Sequence, residues 1–374
     1  MRYILLLMFC LSHVFLAVTG RTEETGERKP EVYTIYDIAV DETARNVAQA
    51  RIIALTKGQR EALTQLLRKI LRPEDLDKLP YFDDRQVRDL ISGFEIIDER
   101  NSDVRYIARL TVHFSRNKVF DLLSLLQIPF AETLSAPVTI LPVLRKDGAY
   151  FLWEDRNEWK KAWEAYEGLN SLVPVVIPPS TFKQQLLITS WQAEAGFPAN
   201  LEKFARAQGV KDLVVAIAVL NKDIVRDRYD MTLTLRRGLN GEVVFSKHLQ
   251  AGVDEMALPG AEVALLYEKG IAATMEYLNT VWREKVLVHF GVAASVRFDA
   301  RFLDMAEWRE IHERLMAVPL VRKVKLQRLA LNHATLEVDH AGEYEQLMLT
   351  LRQKGLLVEE EEGVKVLKLE ADHP

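Results

Sequence analysis

The chain has 374 residues, of which 48% are apolar and 28% are charged, and its formal net charge is −5. These values are typical of a globular protein of two or three domains and exclude a disordered, a collagen-like or a polytopic membrane chain. The nearly balanced charge also argues against a dedicated nucleic-acid-binding protein, which would need a basic surface.

The first twenty residues have the pattern of a secretory signal peptide. Arg2 supplies a positive charge, residues 3–18 are almost entirely apolar, and Thr19 and Gly20 lead into a polar stretch that starts at Arg21. This pattern predicts cleavage near Arg21 and a periplasmic or secreted protein. An uncleaved anchor and a buried helix are the alternatives, but the apolar run is shorter than the roughly 20 residues that span a bilayer.

The only cysteine, Cys10, lies inside this apolar run. Cleavage would therefore leave a chain that can form no disulfide, no thiolate metal site and no cysteine nucleophile. A chain without cysteine suits an oxidising compartment, where stray thiols would mispair.

Residues 21–30 are predicted to be a polar linker, and residues 31–130 a small α+β domain. Its βαββα pattern is a strand at 32–40, a helix at 43–71, a hairpin at 94–100 and 106–114, and a helix at 117–126. The first helix has apolar residues at close to the helical period and ends before Pro73. The segment 131–137 is the predicted boundary with the next domain.

Residues 137–284 are predicted to form a central three-layer α/β domain with a mixed sheet. Its strands are expected at 138–143, 173–177, 213–220, 229–236 and 242–249, and its helices at 154–167, 181–193, 201–208 and 261–283. Residues 213–220 are all apolar, which is typical of a central strand covered on both faces. Alternating strands and helices favour this fold class.

Residues 285–370 are predicted to form a ferredoxin-like βαββαβ domain. Its elements are a strand at 286–298, a helix at 303–316, strands at 321–329 and 334–339, a helix at 344–353, and a strand or hairpin at 356–369.

Several segments, in this order, resemble an uncharacterised family of secreted bacterial proteins called domain of unknown function 2066. These are the apolar N-terminus, the strand and alanine-rich helix at 32–71, the strand at 141–143, a tryptophan-rich helix, the strand at 213, and the helix from Trp308 to Ile311 that leads to Pro319. The resemblance implies an envelope protein of a Gram-negative bacterium, with no assigned activity and no functional residues to transfer.

The sequence predicts no catalytic, cofactor-binding or metal site. It contains no glycine-rich nucleotide-binding motif and no Gly-x-Ser-x-Gly motif. His312 lacks the second histidine, four residues on, that a zinc pair on a helix would need. The adjacent carboxylates of Asp83 or Asp84, and of Asp155, are interpreted as helix caps.

An aromatic cluster at 150–166 is the strongest candidate contact region. Trp159, Trp163 and Tyr166 share one helical stripe, which would pack against the sheet if buried and could bind a sugar ring or a partner if exposed. Trp153, which precedes the helix, is the better candidate for exposure. Trp153, Trp159 and Trp163 are therefore the predicted partner or ligand contacts.

Two functional hypotheses follow. The first is a non-enzymatic envelope protein that acts through protein–protein contacts, with an unidentified envelope protein as its partner. This hypothesis includes no nucleic acid, no cofactor, and no membrane contact except through a retained signal segment. The alternative is a hydrolase or binding protein for cell-wall or carbohydrate material. Buried tryptophans, without a pocket of convergent polar groups, would argue against the alternative.

Overall fold

The computed structural model describes residues 28–223, 228–251, 261–288, 293–361 and 363–370. The predicted signal peptide, Cys10 and residues 21–27 of the predicted linker lie outside these residues. The fold is mixed α+β with several domains, as predicted from the sequence. In the described part of the chain, no helix is both long and apolar enough to cross a membrane. The segments 31–130, 137–284 and 285–370 are called the N-terminal, central and C-terminal modules below; their boundaries stay predictions.

The N-terminal module has the predicted βαββα order, with a sheet of order β1-β3-β2. Its elements are β1 (Thr34–Thr43), α1 (Val47–Ile70), α2 (Pro73–Leu76), α3 (Asp84–Leu90), β2 (Ile91–Asn101), β3 (Arg105–Phe114), α4 (Arg116–Leu125) and the short β4 (Phe130–Ala131). Helix α1 starts later than predicted because β1 continues to Thr43 and the Asn46 side chain caps the helix by accepting from the Gln49 N–H at 2.9 Å. Gly58 lets α1 approach the sheet, since a Cβ there would lie 2.5 Å from Leu110 Cδ1.

The central module is a mixed sheet of order β10-β9-β8-β5-β6, with β7 also paired to β5. Its elements are β5 (Val138–Lys146), β6 (Ala149–Phe151), α5 (Glu158–Glu164), β7 (Val175–Val176), α6 (Phe182–Leu187), α7 (Ser190–Ala195), α8 (Pro198–Gln208), β8 (Leu213–Asp223), β9 (Arg228–Arg237), β10 (Glu242–Gln250) and α9 (Ala261–Val286). Strands β5 and β8 are parallel, and β8 pairs antiparallel with β9.

Strand β8 is the central strand that its apolar sequence predicted. Val214 and Ala216 pack with residues of α5 and α9, whereas Val215 and Ile217 pack with residues of α7 and α8. Because successive side chains of a strand point to opposite faces, an unbroken apolar run fills both cores at once. Because helices cover both faces of the sheet at β8, the central module has three layers, with the sheet between two layers of helices.

The C-terminal module is a ferredoxin-like unit extended by one strand. Its elements are β11 (Leu287–Val288), β12 (Ala293–Arg301), α10 (Met305–Met316), β13 (Val321–Leu329), β14 (His333–Ala341), α11 (Tyr344–Gln353), β15 (Leu356–Glu361) and β16 (Val364–Leu369). The last segment is a hairpin, and the sheet has the order β13-β14-β12-β16-β15. Strand β16 lies between β12 and β15 and runs parallel to β12.

The N-terminal and C-terminal modules share one hydrophobic core, although they are far apart in sequence. Strand β4 pairs with β11, and buried residues of both modules, such as Leu123 and Phe298, belong to a single cluster. The junction contains a buried acid, Glu132. Arg116 Nε lies 2.7 Å and Arg322 Nη2 lies 3.8 Å from its carboxylate oxygens, and the Tyr33 hydroxyl donates to it at 2.9 Å. Burial raises the pKa of Glu132, and the two arginines oppose that rise.

Candidate functional site

The three tryptophans predicted as contact residues are all buried. The indole N–H of Trp153 donates to the main-chain oxygen of Ile188 at 2.8 Å, and that of Trp159 donates to Ala216 O at 2.9 Å. The prediction that Trp153 is exposed is therefore wrong. Direct contact of the three residues with a partner or ligand stays a prediction, and their burial gives it no support. Trp153 belongs to the core under α7 and α8, and Trp159 and Trp163 belong to the core under α5 and α9.

A groove of about 800 Å³ lies between α5 and α9, on the outside of the core that contains Trp159 and Trp163. We call it the α5–α9 groove. It is lined by Lys146, Glu158, Lys161, Ala162, Ala165, Tyr166, Tyr229, Val263, Ala264, Tyr267, Glu268, Ile271 and Ala272. The lining residues recur every three or four positions on each helix, so each helix contributes one face. Most of the exposed lining is apolar, and four of the thirteen residues are alanines.

The buried tryptophans hold the aromatic lining of the groove in place. The ring centroids of Trp159 and Tyr267 are 5.5 Å apart, and those of Trp163 and Tyr166 are 6.0 Å apart. Gly270 brings α9 close to this stack, since a Cβ there would lie 2.9 Å from Trp159 Cη2. The predicted aromatic stripe is therefore the support of the groove and not its contact surface.

One rim of the groove carries a chain of polar groups. The Tyr267 hydroxyl donates to Glu158 Oε2 at 3.3 Å, and Lys146 Nζ lies 3.5 Å from the same oxygen. Burial raises the pKa of Tyr267, and the Glu158 carboxylate raises it further. Burial also raises the pKa of Tyr166. Both phenols are therefore neutral hydrogen-bond donors at physiological pH.

The groove lies at the carboxyl end of the parallel strand pair. Lys146 is the last residue of β5, and Tyr229 pairs with Lys222 near the end of β8. The N–H of Tyr229 donates to Glu262 at 2.9 Å, which fixes the start of α9 beside this edge. Ligand sites in open α/β sheets form in the crevice outside the carboxyl ends of the strands. The position supports a binding role for this groove.

The other residues considered in the sequence have structural roles. Asp83 caps α3 in a capping box with Gln86, as predicted. Asp155 is not the cap of α5, so that prediction is wrong. Asn157 takes the position because its side chain accepts from Lys160 N–H and donates to the main-chain oxygen of Pro142 at 2.9 Å. His312 lies against the Trp308 ring, and no cluster of three or more potential metal-ligating side chains occurs in the residues that the structure describes.

A second apolar surface lies on the opposite layer of the central module. Phe182 and Leu186 project from the same face of α6 and are 74% and 63% exposed, and Trp191 on α7 is 55% exposed. The rings of Trp191 and Phe197 are 5.0 Å apart, so the surface extends to the start of α8. Trp191 is outside the dense aromatic cluster at 150–166. The signal in the sequence was its position in the first turn of a helix that starts with a capping box of Thr189 and Gln192.

Comparisons of the chain with protein-family models, curated proteins and solved structures gave no match. The functional assignment therefore depends on the geometry of the α5–α9 groove and on the sequence patterns described above. The resemblance to domain of unknown function 2066 remains a proposal.

Proposed function

We propose that the protein is a non-enzymatic docking protein of the bacterial cell envelope, and that an amphipathic helix of a partner protein binds in the α5–α9 groove. The observation that carries the proposal is the groove itself, a largely apolar channel of about 800 Å³ walled by the faces of two helices. The signal-peptide pattern of residues 1–20 supports export, and the resemblance to domain of unknown function 2066 supports a Gram-negative envelope location.

The shape of the groove suits a third helix better than an extended peptide. The lining on α9 extends from Val263 to Ala272, which corresponds to about 14 Å of helix or about two and a half turns. Alanines at positions 162, 165, 264 and 272 leave room for larger apolar side chains from the partner. A helix with apolar residues at every third or fourth position fits such a groove. An extended peptide would need an exposed strand to pair with, whereas a helix in this groove does not.

Charges on the rim would align the partner. Lys161 is exposed on the α5 wall and Glu268 is exposed on the α9 wall. In the described part of the chain, Lys161 has no ion-pair partner. A partner helix with an acidic residue toward α5 and a basic residue toward α9 would therefore be oriented by both walls.

The structure gives less support to the carbohydrate-directed alternative. That hypothesis relied on exposed tryptophans, and Trp153, Trp159 and Trp163 are buried. Acid–base catalysis would also need a second carboxyl group that converges with Glu158 on one substrate. Glu268 lines the α9 wall of the same groove, but the described contacts of Glu158 are with Tyr267 and Lys146 and not with Glu268.

The test is photocrosslinking in cells with a photoreactive amino acid at Ala272, which is exposed on the groove wall. We expect a specific crosslink to an envelope protein, with the crosslinked peptide in an amphipathic helix of that protein. Ala264→Trp should abolish this crosslink, because the indole would fill the groove. Ala264 is exposed, so the substitution should leave the melting temperature unchanged.

The matched control is Ala48→Trp, at an exposed position on α1 and outside the groove. It should leave the Ala272 crosslink intact. The proposal fails if the crosslinked partner is the same with and without Ala264→Trp. A crosslink to glycan or lipid alone would also overturn it.

Export is tested separately by N-terminal sequencing of the protein from the cell-envelope fraction. We expect a chain that begins at or near Arg21. If the chain still begins at Met1 and stays in the membrane, the signal segment is not cleaved and serves as a membrane anchor.

A further inference from the structure

Tyr166 lines the α5–α9 groove at the opposite end of α5 from Glu158. Glu158 is the first residue of α5, and Tyr166 follows shortly after the last one, Glu164. The distance along the helix axis between positions 158 and 166 is about 12 Å. The polar chain of Lys146, Glu158 and Tyr267 therefore belongs to one end of the groove, and Tyr166 belongs to the other end.

Two neighbours hold the ring of Tyr166 in place. The first is the buried Trp163, whose ring centroid lies 6.0 Å from that of Tyr166 with the two planes at 84°. The second is Gly168, where the main chain comes so close that a Cβ would lie 2.9 Å from Tyr166 Cε1. Gly168 also has a φ of +62°, which glycine adopts without strain. The tyrosine hydroxyl is therefore presented at a fixed place in the lining.

Within the ranges that the structure describes, the hydroxyl of Tyr166 has no hydrogen-bond partner. Burial raises the pKa of this phenol without any contribution from a neighbouring charge or hydrogen bond, so the hydroxyl keeps its proton and is a donor. The hydroxyl of Tyr267 differs, because it donates to Glu158 Oε2 at 3.3 Å. Solvent reaches the half-buried Tyr166 in the free protein, and a helix that fills the groove would remove this contact. An entirely apolar helix would then leave a buried donor unsatisfied, which weakens binding.

We propose that Tyr166 determines the specificity of the α5–α9 groove, by selecting a partner helix that carries one uncharged hydrogen-bond acceptor on its otherwise apolar face. This inference rests on the proposed function, because it concerns the helix that would bind in the groove. A helix with the amide of glutamine or asparagine opposite Tyr166 would accept from the hydroxyl. A helix with leucine at that position would fill the same space and leave the hydroxyl unpaired, so the groove would discriminate against it.

An uncharged acceptor fits this end of the groove better than a carboxylate does. The lining residues nearest to Tyr166 in sequence are Ala162 and Ala165, which offer no polar side chain. A carboxylate opposite Tyr166 would lose its hydration and gain only one hydrogen bond, which is unfavourable for a charged group. An amide has less hydration to lose, so a single donor is a sufficient partner for its oxygen.

The test is selection of binders to the full protein from a phage-displayed library of amphipathic helices whose apolar face is randomised. Helices selected on the wild type should carry glutamine, asparagine, serine or threonine at one fixed position of that face. Replacing this residue by leucine in a synthetic peptide should weaken binding to the wild type about tenfold. Tyr166→Phe should select leucine or methionine at the same position, and it should bind the leucine peptide at least as tightly as the peptide with the acceptor.

Tyr229→Phe is the matched control inside the groove, because Tyr229 pairs with Lys222 near the end of β8 and so lies at the Lys146 end. It should leave the residue selected opposite Tyr166 unchanged. The specificity proposal is wrong if the wild type and Tyr166→Phe select the same residue there, or if the wild type selects an apolar or an acidic residue.

Ala264→Trp distinguishes this failure from failure of the proposed function. Helices selected on the wild type should not bind Ala264→Trp, because the indole would fill the groove. If they bind this variant equally well, or if no helix of the library binds the wild type, the docking function and the role of Tyr166 both fail. If they bind only the open groove but ignore Tyr166→Phe, docking stands and the specificity role is refuted.

Discussion

Arg283 Nη1, near the end of α9, lies 2.7 Å from the main-chain oxygen of Arg68, near the end of α1. The same nitrogen donates to the main-chain oxygen of Leu71 at 3.1 Å. The last carbonyls of a helix have no partner within the helix, so a side chain of the central module supplies donors for the N-terminal module. This contact joins two modules that the sequence presents as separate domains.

Replacement of Arg283 by Met should lower the free energy of unfolding by about 1–3 kcal/mol, because it leaves buried carbonyl oxygens without a donor. Urea denaturation measures the change. The control is Arg206→Met on α8, where the arginine side chain is 84% exposed and the expected change is close to zero. Equal stability of both variants would show that Arg283 does not join the modules.

Glu132→Ala should lower the free energy of unfolding by about 1–3 kcal/mol, because it leaves the Tyr33 hydroxyl without an acceptor and Arg116 without its hydrogen-bonded carboxylate. The side chains of Arg116 and Arg322 are 38% and 28% exposed, so water compensates part of the lost counter-charge. Glu74→Ala, which removes the more exposed pair with Arg72, should change stability by about 1 kcal/mol or less. If the two variants have the same melting temperature, this prediction is wrong.

Lys69 should make stability depend on pH. Its Nζ donates to Glu31 O at 2.5 Å, and burial lowers the pKa of Lys69 from 10.5 to about 7. Between pH 7 and 10.5 the unfolded chain therefore binds more protons at this lysine than the folded chain does. The free energy of unfolding rises with pH in that window, by at most about 1.4 kcal/mol per pH unit from this residue.

The measurement compares urea denaturation of the wild type and of Lys69→Met from neutral to mildly alkaline pH. The stability of the wild type relative to the variant should increase as the pH rises. Parallel pH profiles for the two proteins would show that Lys69 is charged in the folded state.

Val215→Asp should unfold the central module. Val215 is buried on β8, and an unpaired charge there costs several kcal/mol against a total stability of about 5–15 kcal/mol. Val243→Asp on the edge strand β10 is the control, because Val243 is 53% exposed. We expect loss of cooperative melting for Val215→Asp and near-normal melting for Val243→Asp. A normal melt for Val215→Asp would contradict the central position of β8.

Elements with a strong local pattern could be predicted from the sequence. The apolar run at 213–220 identified the central strand, and the predicted helix at 344–353 coincides with α11. Capping at Asp83 was also predictable, because its hydrogen-bond partners lie within three residues. These features depend on the periodicity of nearby residues and on hydrogen bonds between them, so a single sequence is sufficient to predict them.

Features that depend on distant residues could not be predicted in this way. The burial of Trp153 depends on a carbonyl oxygen 35 residues away, at Ile188. The α5–α9 groove combines helices separated by about a hundred residues, and neither helix has a distinctive motif. The insertion of β16 beside β12 depends on strand pairing across the whole module. Only a packed structure provides these relationships.

The position of β16 between β12 and the edge strand β15 affects the order in which the protein folds. The strand comes last among the described elements and yet separates β12 from β15, so the C-terminal sheet cannot close before residue 369 has been synthesised. The N-terminal module shares a core with that sheet, so part of its apolar surface stays uncovered until the sheet is complete. Contacts so far apart in sequence make folding slow.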